Sequence, residues 1–186
     1  MDHAGRRAIA EELMKHAPDA IAGVEITPDG ILMMPSPSGT HELVAMRLRH
    51  QLDPQLAEGL VAHTGGDVED PALGLLRRPD LVVLPEAAMD TAGSFRPRDL
   101  ELVAEIASPA THSNDYTQKV YDYAAMGIAL YLLIDPRKGT AAVMSDPGTC
   151  ADGRFSYRAR HNYVFGDKVS VGPWTVDTSE FRRYPS

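Results

Sequence analysis

Three charged side chains stand where the surrounding residues make charge costly. Asp80 follows Pro79 at the head of the apolar run Leu81–Leu84. Glu105 lies late in a second apolar run, Leu100–Ala107, and Lys119 falls in the segment after it. A carboxylate in a buried strand needs a positive partner, because desolvating it alone is expensive. Two hard oxygen ligands on neighbouring strands suit Mg2+ or Mn2+, with water and a substrate phosphate filling the remaining positions. In such a site the metal activates water and offsets charge on a phosphoryl transition state, while a lysine orients or deprotonates the water. Lys119 is also a candidate for the cation that Glu105 requires. Plainer uses exist for each group. An Asp at a strand start serves as a turn or cap residue, and Lys119 can pair with Asp115 at i, i+4 on a helix surface.

Periodicity indicates the elements that must position these groups. Residues 3 to 16 are expected to form a short helix with Ile9 and Leu13 on one side, ended by Pro18. Val24–Thr27 and Ile31–Met34 flank Pro28-Asp29-Gly30, a hairpin signature. A helix is expected over about Thr40 to Ala57, with Leu43, Val44, Leu48, Leu52 and Leu56 as its apolar stripe. Leu60–Thr64 and Val68–Glu69 are weaker strands. Leu81–Leu84, Leu100–Ala107 and Ala129–Ile134 are apolar almost throughout, as strands covered on both faces are. Asn114 to Met126 reads as one helix, capped by Ser113 or Asn114 and ended by Gly127. Ala141–Ser145, Phe155–Arg160 and Trp174–Val176 complete the strands. Alternation places Leu102, Ala104 and Ile106 on one face and Glu105 on the other, away from the helix-packed apolar face or toward a cleft. The middle of the chain thus runs helix, three strands, helix, strand. This is an α/β sheet with a helical crossover before its fourth core strand and additional flanking β-strands.

The chain has 186 residues, 44% of them hydrophobic, which suits one domain over 1–186. Its parts are an N-terminal helix and hairpin (1–36), a core (38–136) and a C-terminal β extension (140–186). The start, Met1 to Arg7, is polar with no apolar segment after it, and no run approaches the roughly 18 residues of a membrane span. Cys150 is the single cysteine, which excludes an internal disulfide framework and a cysteine-built zinc site. A cytoplasmic setting without membrane association is expected. The net charge of −8 counts against a nonspecific nucleic-acid coat protein, though not against an enzyme with a local basic groove. There is no Gly-rich phosphate loop, no H-E-x-x-H and no nucleophile elbow.

The stretches "GILMMPSPSGTHELV" (30–44), "RRPDLVVLP" (77–85) and "LELVAEIASPATHSNDYTQKVYDYAAMGIALYLLIDP" (100–136) resemble the Uma-type putative restriction endonuclease family of the PD-(D/E)XK nuclease superfamily. The resemblance covers roughly residues 22 to 145. Its most specific part is E-[IV]-x-S-P followed by D-x-x-x-K, a Tyr, a Gly and a strand ending in Asp-Pro. It implies a restriction-endonuclease-like core and a metal motif on Asp80 and Glu105. The superfamily's lysine two positions after the glutamate is replaced by Ala107, and the resemblance implies that Lys119 of the next helix takes its place. Glu42 is implied as a further metal or water ligand, with complementing the helix dipole as its plainer role. His41 is a candidate for phosphate or metal, or a helix cap. Arg78 is a candidate phosphate contact, with Arg77 beside it, and Ser108 and Asp115 are expected to orient the loop and Lys119 rather than react.

The leading expectation is therefore a Mg2+- or Mn2+-dependent endonuclease acting on DNA. The alternative is a nuclease-fold module without activity that serves in binding or assembly, which the acidic charge and Ala107 favour. A metal-dependent hydrolase of a small phosphate ester is a third. The β-rich tail (140–186) is where a homodimer contact would form.

Overall fold

Every residue from Leu102 to Ala107 is buried, so both faces of this stretch are covered. The computed structural model, which describes residues 1–109 and 112–185, shows by what. Ala110 and Thr111 of the family-like stretch lie outside the described residues. In chain order the first elements are α1 (His3–Lys15), β1 (Ile21–Thr27), β2 (Gly30–Pro35) and α2 (Gly39–Leu52). The next are β3 (Leu60–His63), β4 (Val68–Asp70), β5 (Leu75–Arg77), β6 (Leu81–Pro85) and β7 (Leu102–Ile106). Then come α3 (His112–Tyr116), α4 (Gln118–Ala125), β8 (Leu130–Asp135), β9 (Thr140–Thr149), β10 (Phe155–Val164), β11 (Lys168–Val171) and β12 (Trp174–Asp177).

A six-stranded sheet runs β10-β9-β8-β7-β6-β3. Among the described residues β7–β8 is its one parallel pair, joined through α3 and α4. That pair is the helical crossover expected from the sequence, and α2, β3, β6, β7, α3/α4, β8 gives the helix–three strands–helix–strand core. A second sheet runs β2-β1-β5-β4, and β11 and β12 form a two-stranded ribbon. Val44, Leu48 and Leu52 of α2 pack in one apolar cluster with Leu102, Ala104 and Ile106. Tyr123 and Ala124 of α4 pack in another with Val103 and Ala107. Both faces of β7 are therefore helix-packed. Glu105 does not point away from a helix; it lies on the face that α4 covers.

Several expectations about elements are corrected. Ile9 and Leu13 of α1 are substantially exposed, and the buried contact is Ala10. The helix expected to reach Ala57 stops at Leu52 and continues as a 3-10 turn, Asp53–Gln55. Pro54 has no N–H to bond the carbonyl one turn back. The single helix expected over 114–126 is two. Thr117 takes a non-helical conformation, and its hydroxyl donates to the Ser113 carbonyl at 2.6 Å, competing with the backbone ladder. At the other end, Gly127 adopts φ +73°, and the Ile128 N–H bonds back to Tyr123 O at 3.1 Å. This is a glycine-terminated helix end, as the sequence suggested.

Candidate active site

Strand register brings the two carboxylates together. β6 and β7 are antiparallel with Leu81 opposite Ala104, so one further step sets Asp80 opposite Glu105. Asp80 Oδ2 accepts the backbone N–H of Ile106 at 2.6 Å, which pins the start of β6 to the end of β7. His41, in the first turn of α2, places Nε2 3.1 Å from the same oxygen. Burial disfavours a charged His41. The bond to Asp80 and the charges of Asp80 and Glu42 outweigh it and lift the imidazole above its ordinary range.

Lys119 reaches this point from α4. Its Nζ lies 2.9 Å from Glu105 Oε1, 3.3 Å from Asp115 Oδ1 and 3.3 Å from Glu25 Oε1. Tyr123, one turn further along the same face, donates its hydroxyl to Glu105 Oε1 at 2.5 Å. Tyr131 donates to the Asp115 carbonyl at 2.9 Å, fixing the end of α3. Glu105, Asp115 and Lys119 are each only about 2% exposed. Burial opposes the charge on Lys119, but Glu105, Glu25, Asp115 and Asp80 together hold its pKa well above the ordinary lysine range. Glu105 is held well above the ordinary carboxylate range by burial, with Asp80, Asp115 and Glu25 adding to the shift and Lys119 opposing it.

Asp80, Glu105, Lys119, Glu42, His41, Arg78, Asp115 and Ser108 all line one cleft of about 550 Å3. Glu42 is exposed at its wall. Arg78 is paired with Asp67 at 3.1 Å. An adjoining concavity of about 350 Å3 is lined by Glu42, Arg49, His50 and Asp53, with Arg49 paired to Asp53. Arg77, considered beside Arg78 as a phosphate contact, is fully buried and faces Glu25 and Asp122 instead.

Sequence reasoning missed four residues. Glu25 sits in the middle of β1, where a two-stranded hairpin would have let it face water; the signal was the same as for Glu105, a charge amid Val24 and Ile26. Asp122 and Tyr123 follow Lys119 on α4. Tyr184, near the C-terminus, lines the cleft and carries a buried hydroxyl with no hydrogen-bond partner among the described residues.

The donor chemistry fits a divalent cation. Asp80 and Glu105 bring two hard oxygen donors to one cleft, while Glu25 is balanced by Arg77 as well as by Lys119. Among the described residues, no three His, Cys, Asp or Glu side chains are grouped as a ready metal cage. Such an ion would be held by Asp80 and Glu105, with water and substrate supplying the other oxygens.

No curated protein matches the chain. Among solved structures, the chain is similar to a putative nuclease belonging to DUF820 from Anabaena variabilis, with a TM-score of 0.68 and 15% identity. That likeness covers 92% of this chain and 96% of the other, and at this identity it speaks for the fold. The family model Uma2, "Putative restriction endonuclease", matches residues 11–172. By that match, which takes in both carboxylates and the helix lysine, the chain belongs to the Uma2 family of putative restriction endonucleases.

Proposed function

We propose that the chain is a divalent-metal-dependent endonuclease that hydrolyses phosphodiester bonds of DNA at the cleft built on Asp80 and Glu105. The observation that carries this reading is the meeting of the two carboxylates with the helix-borne Lys119, whose ammonium is 2.9 Å from Glu105. Asp80 and Glu105 would hold Mg2+ or Mn2+, which supplies Lewis acidity toward the phosphate and lowers the pKa of an attacking water. Lys119 holds a positive charge beside the reacting phosphate and orients that water. His41 keeps Asp80 in place through its Nε2, and Arg78 at the cleft wall is suited to bind the phosphate backbone. Asp115 steadies Lys119. Glu42, exposed on the cleft wall, would take a water of the metal shell.

One observation favours the second reading, a nuclease-fold module that binds or assembles without cutting. Lys119 is engaged by three carboxylates and almost wholly buried, which opposes a mobile catalytic role. Incubating supercoiled plasmid with the full chain and Mg2+ or Mn2+ decides between them. Nicking that disappears in D80A and E105A, with the fold retained, supports the endonuclease. No cutting with either metal, alongside retained DNA binding, supports the module.

A further inference from the structure

The lysine is gripped from a part of the molecule that lies outside the sheet bearing Asp80 and Glu105. Glu25 is fully buried in β1, an inner strand of the other sheet. Its two oxygens are divided. Oε2 accepts Arg77 Nη1 at 2.6 Å, while Oε1 accepts the Arg78 backbone N–H at 3.1 Å and lies 3.3 Å from Lys119 Nζ. Arg77 also bonds Asp122 through Nε at 2.8 Å and through Nη2. Asp122 in turn accepts from Gln118 at 2.9 Å. Lys119 and Asp122 stand three residues apart on α4, on the same side of the helix. The chain of ions Lys119–Glu25–Arg77–Asp122 therefore leaves α4 and returns to it one turn later, clasping the helix against β1.

We propose that Glu25 is a positioning residue for Lys119, with Arg77 as its anchor. Arg77 and the Arg78 amide fix the Glu25 carboxylate without help from the lysine. Glu25 can therefore hold the ammonium at one place while Glu105 is engaged elsewhere. A buried ion network of this kind gives little net stability over an apolar interior of similar volume, whereas it specifies geometry sharply. Asp115 holds Lys119 from α3, across the break at Thr117, whereas Glu25, apart from the candidate ligand Glu105, grips it from outside the loop before α4.

The test uses the full chain carrying E25Q, read by crystal structure and by plasmid cleavage. In E25Q the Lys119 ammonium is expected to leave hydrogen-bond distance of Glu105. Finding it still there overturns the proposal. The kinetic arm rests on the nuclease reading: E25Q should lower kcat at least about tenfold while KM for DNA stays within about twofold. Adding E25Q to K119M should cost nothing more, because the glutamate acts through the lysine. Wild-type kcat in E25Q, or losses that multiply in the double variant, also overturns it. If E25Q fails to fold, the triple variant E25M/R77M/D122L replaces the ion chain by apolar side chains, and the same measurements support or overturn the proposal in the same way. A wild type that cuts nothing would sink the endonuclease reading alone, because the crystallographic position of Lys119 still decides the role of Glu25.

Discussion

Lys119 Nζ and Glu105 Oε1 lie 2.9 Å apart, although the strand position that would carry the superfamily's lysine holds Ala107. Ala107 is fully buried, donates its N–H to Ile134 O at 2.8 Å and packs in the cluster with Val103 and Tyr123. The helix thus delivers the charge from the opposite side of the gap. Lys119→Met removes the cation and leaves Glu25, Glu105 and Asp115 facing one another. It is expected to lower stability by about 3–5 kcal/mol and to cut activity to a small residual rate. Millimolar Mg2+ should recover part of the stability without the activity. Denaturant titration with and without the ion checks both, and a K119M protein as stable as wild type in EDTA contradicts the ion-pair account.

Tyr123 holds the other side of the same carboxylate. Tyr123→Phe keeps the ring and its edge contact with Tyr131, whose centroids are 5.2 Å apart, and deletes only the hydroxyl. Losing this buried bond should cost about 1–3 kcal/mol and reduce cutting, since one of the holds on Glu105 is gone. Thermal unfolding and single-turnover cleavage measure the two effects.

The pH dependence follows from Glu105. Burial first, then Asp80, Asp115 and Glu25, raise its folded-state pKa against the opposing pull of Lys119. The folded protein therefore binds this proton more tightly than the unfolded chain does. The contribution to stability is full below the ordinary glutamate range and is lost as pH rises through the raised value. In metal-free buffer, Glu105→Gln should show a flatter pH–stability profile than wild type across that window. At a hundredfold excess over its dissociation constant, Mg2+ should add about 2.7 kcal/mol to wild type and little to E105Q. Equal stabilisation of both proteins by the ion would count against Glu105 as a ligand.

Tyr184 enters the cleft from beyond the residues matched by the family model. Its backbone N–H is 3.3 Å from Pro136 O, and its neighbour Phe181 is anchored against Phe165. Burial, and then the nearby Asp80, Asp135 and Asp115, push the phenol up to about 12, so the hydroxyl remains a neutral donor, without an acceptor among the described residues. Tyr184→Phe should therefore stabilise the metal-free, DNA-free chain by roughly 1 kcal/mol, because an unsatisfied buried group is removed. A fall in melting temperature would show that the hydroxyl has a partner.

Asp80, Glu105 and Lys119 could be singled out because each charge stands against an apolar pattern: one at the head of an apolar run, one late in a second, and a lysine in the helix that follows. The family-like spacing tied them together. Glu25 was not legible, because the hairpin signature Pro28-Asp29-Gly30 suggests a two-stranded ribbon with a wet face. In fact β5 closes the other edge of β1, a three-residue strand too short to announce itself between Gly74 and Pro79. Arg77 then followed Glu25 into the interior, where its partner Asp122 is 45 residues away. The break at Thr117 depends on a hydroxyl finding a carbonyl, and periodicity does not record such a choice.

The clasp on α4 also orders events in time. Glu25 and Arg77 are 52 residues apart along the chain, and Arg77 and Asp122 another 45. Contacts of such separation form after local ones, since each must close a long loop first. Asp80 and Glu105 both precede α4 along the chain, so the carboxylates are synthesised before the lysine that meets them. The ammonium is fixed only when the helix docks across the earlier strand. A growing chain thus carries its carboxylates unarmed, and the cleft becomes complete only with the tertiary structure itself.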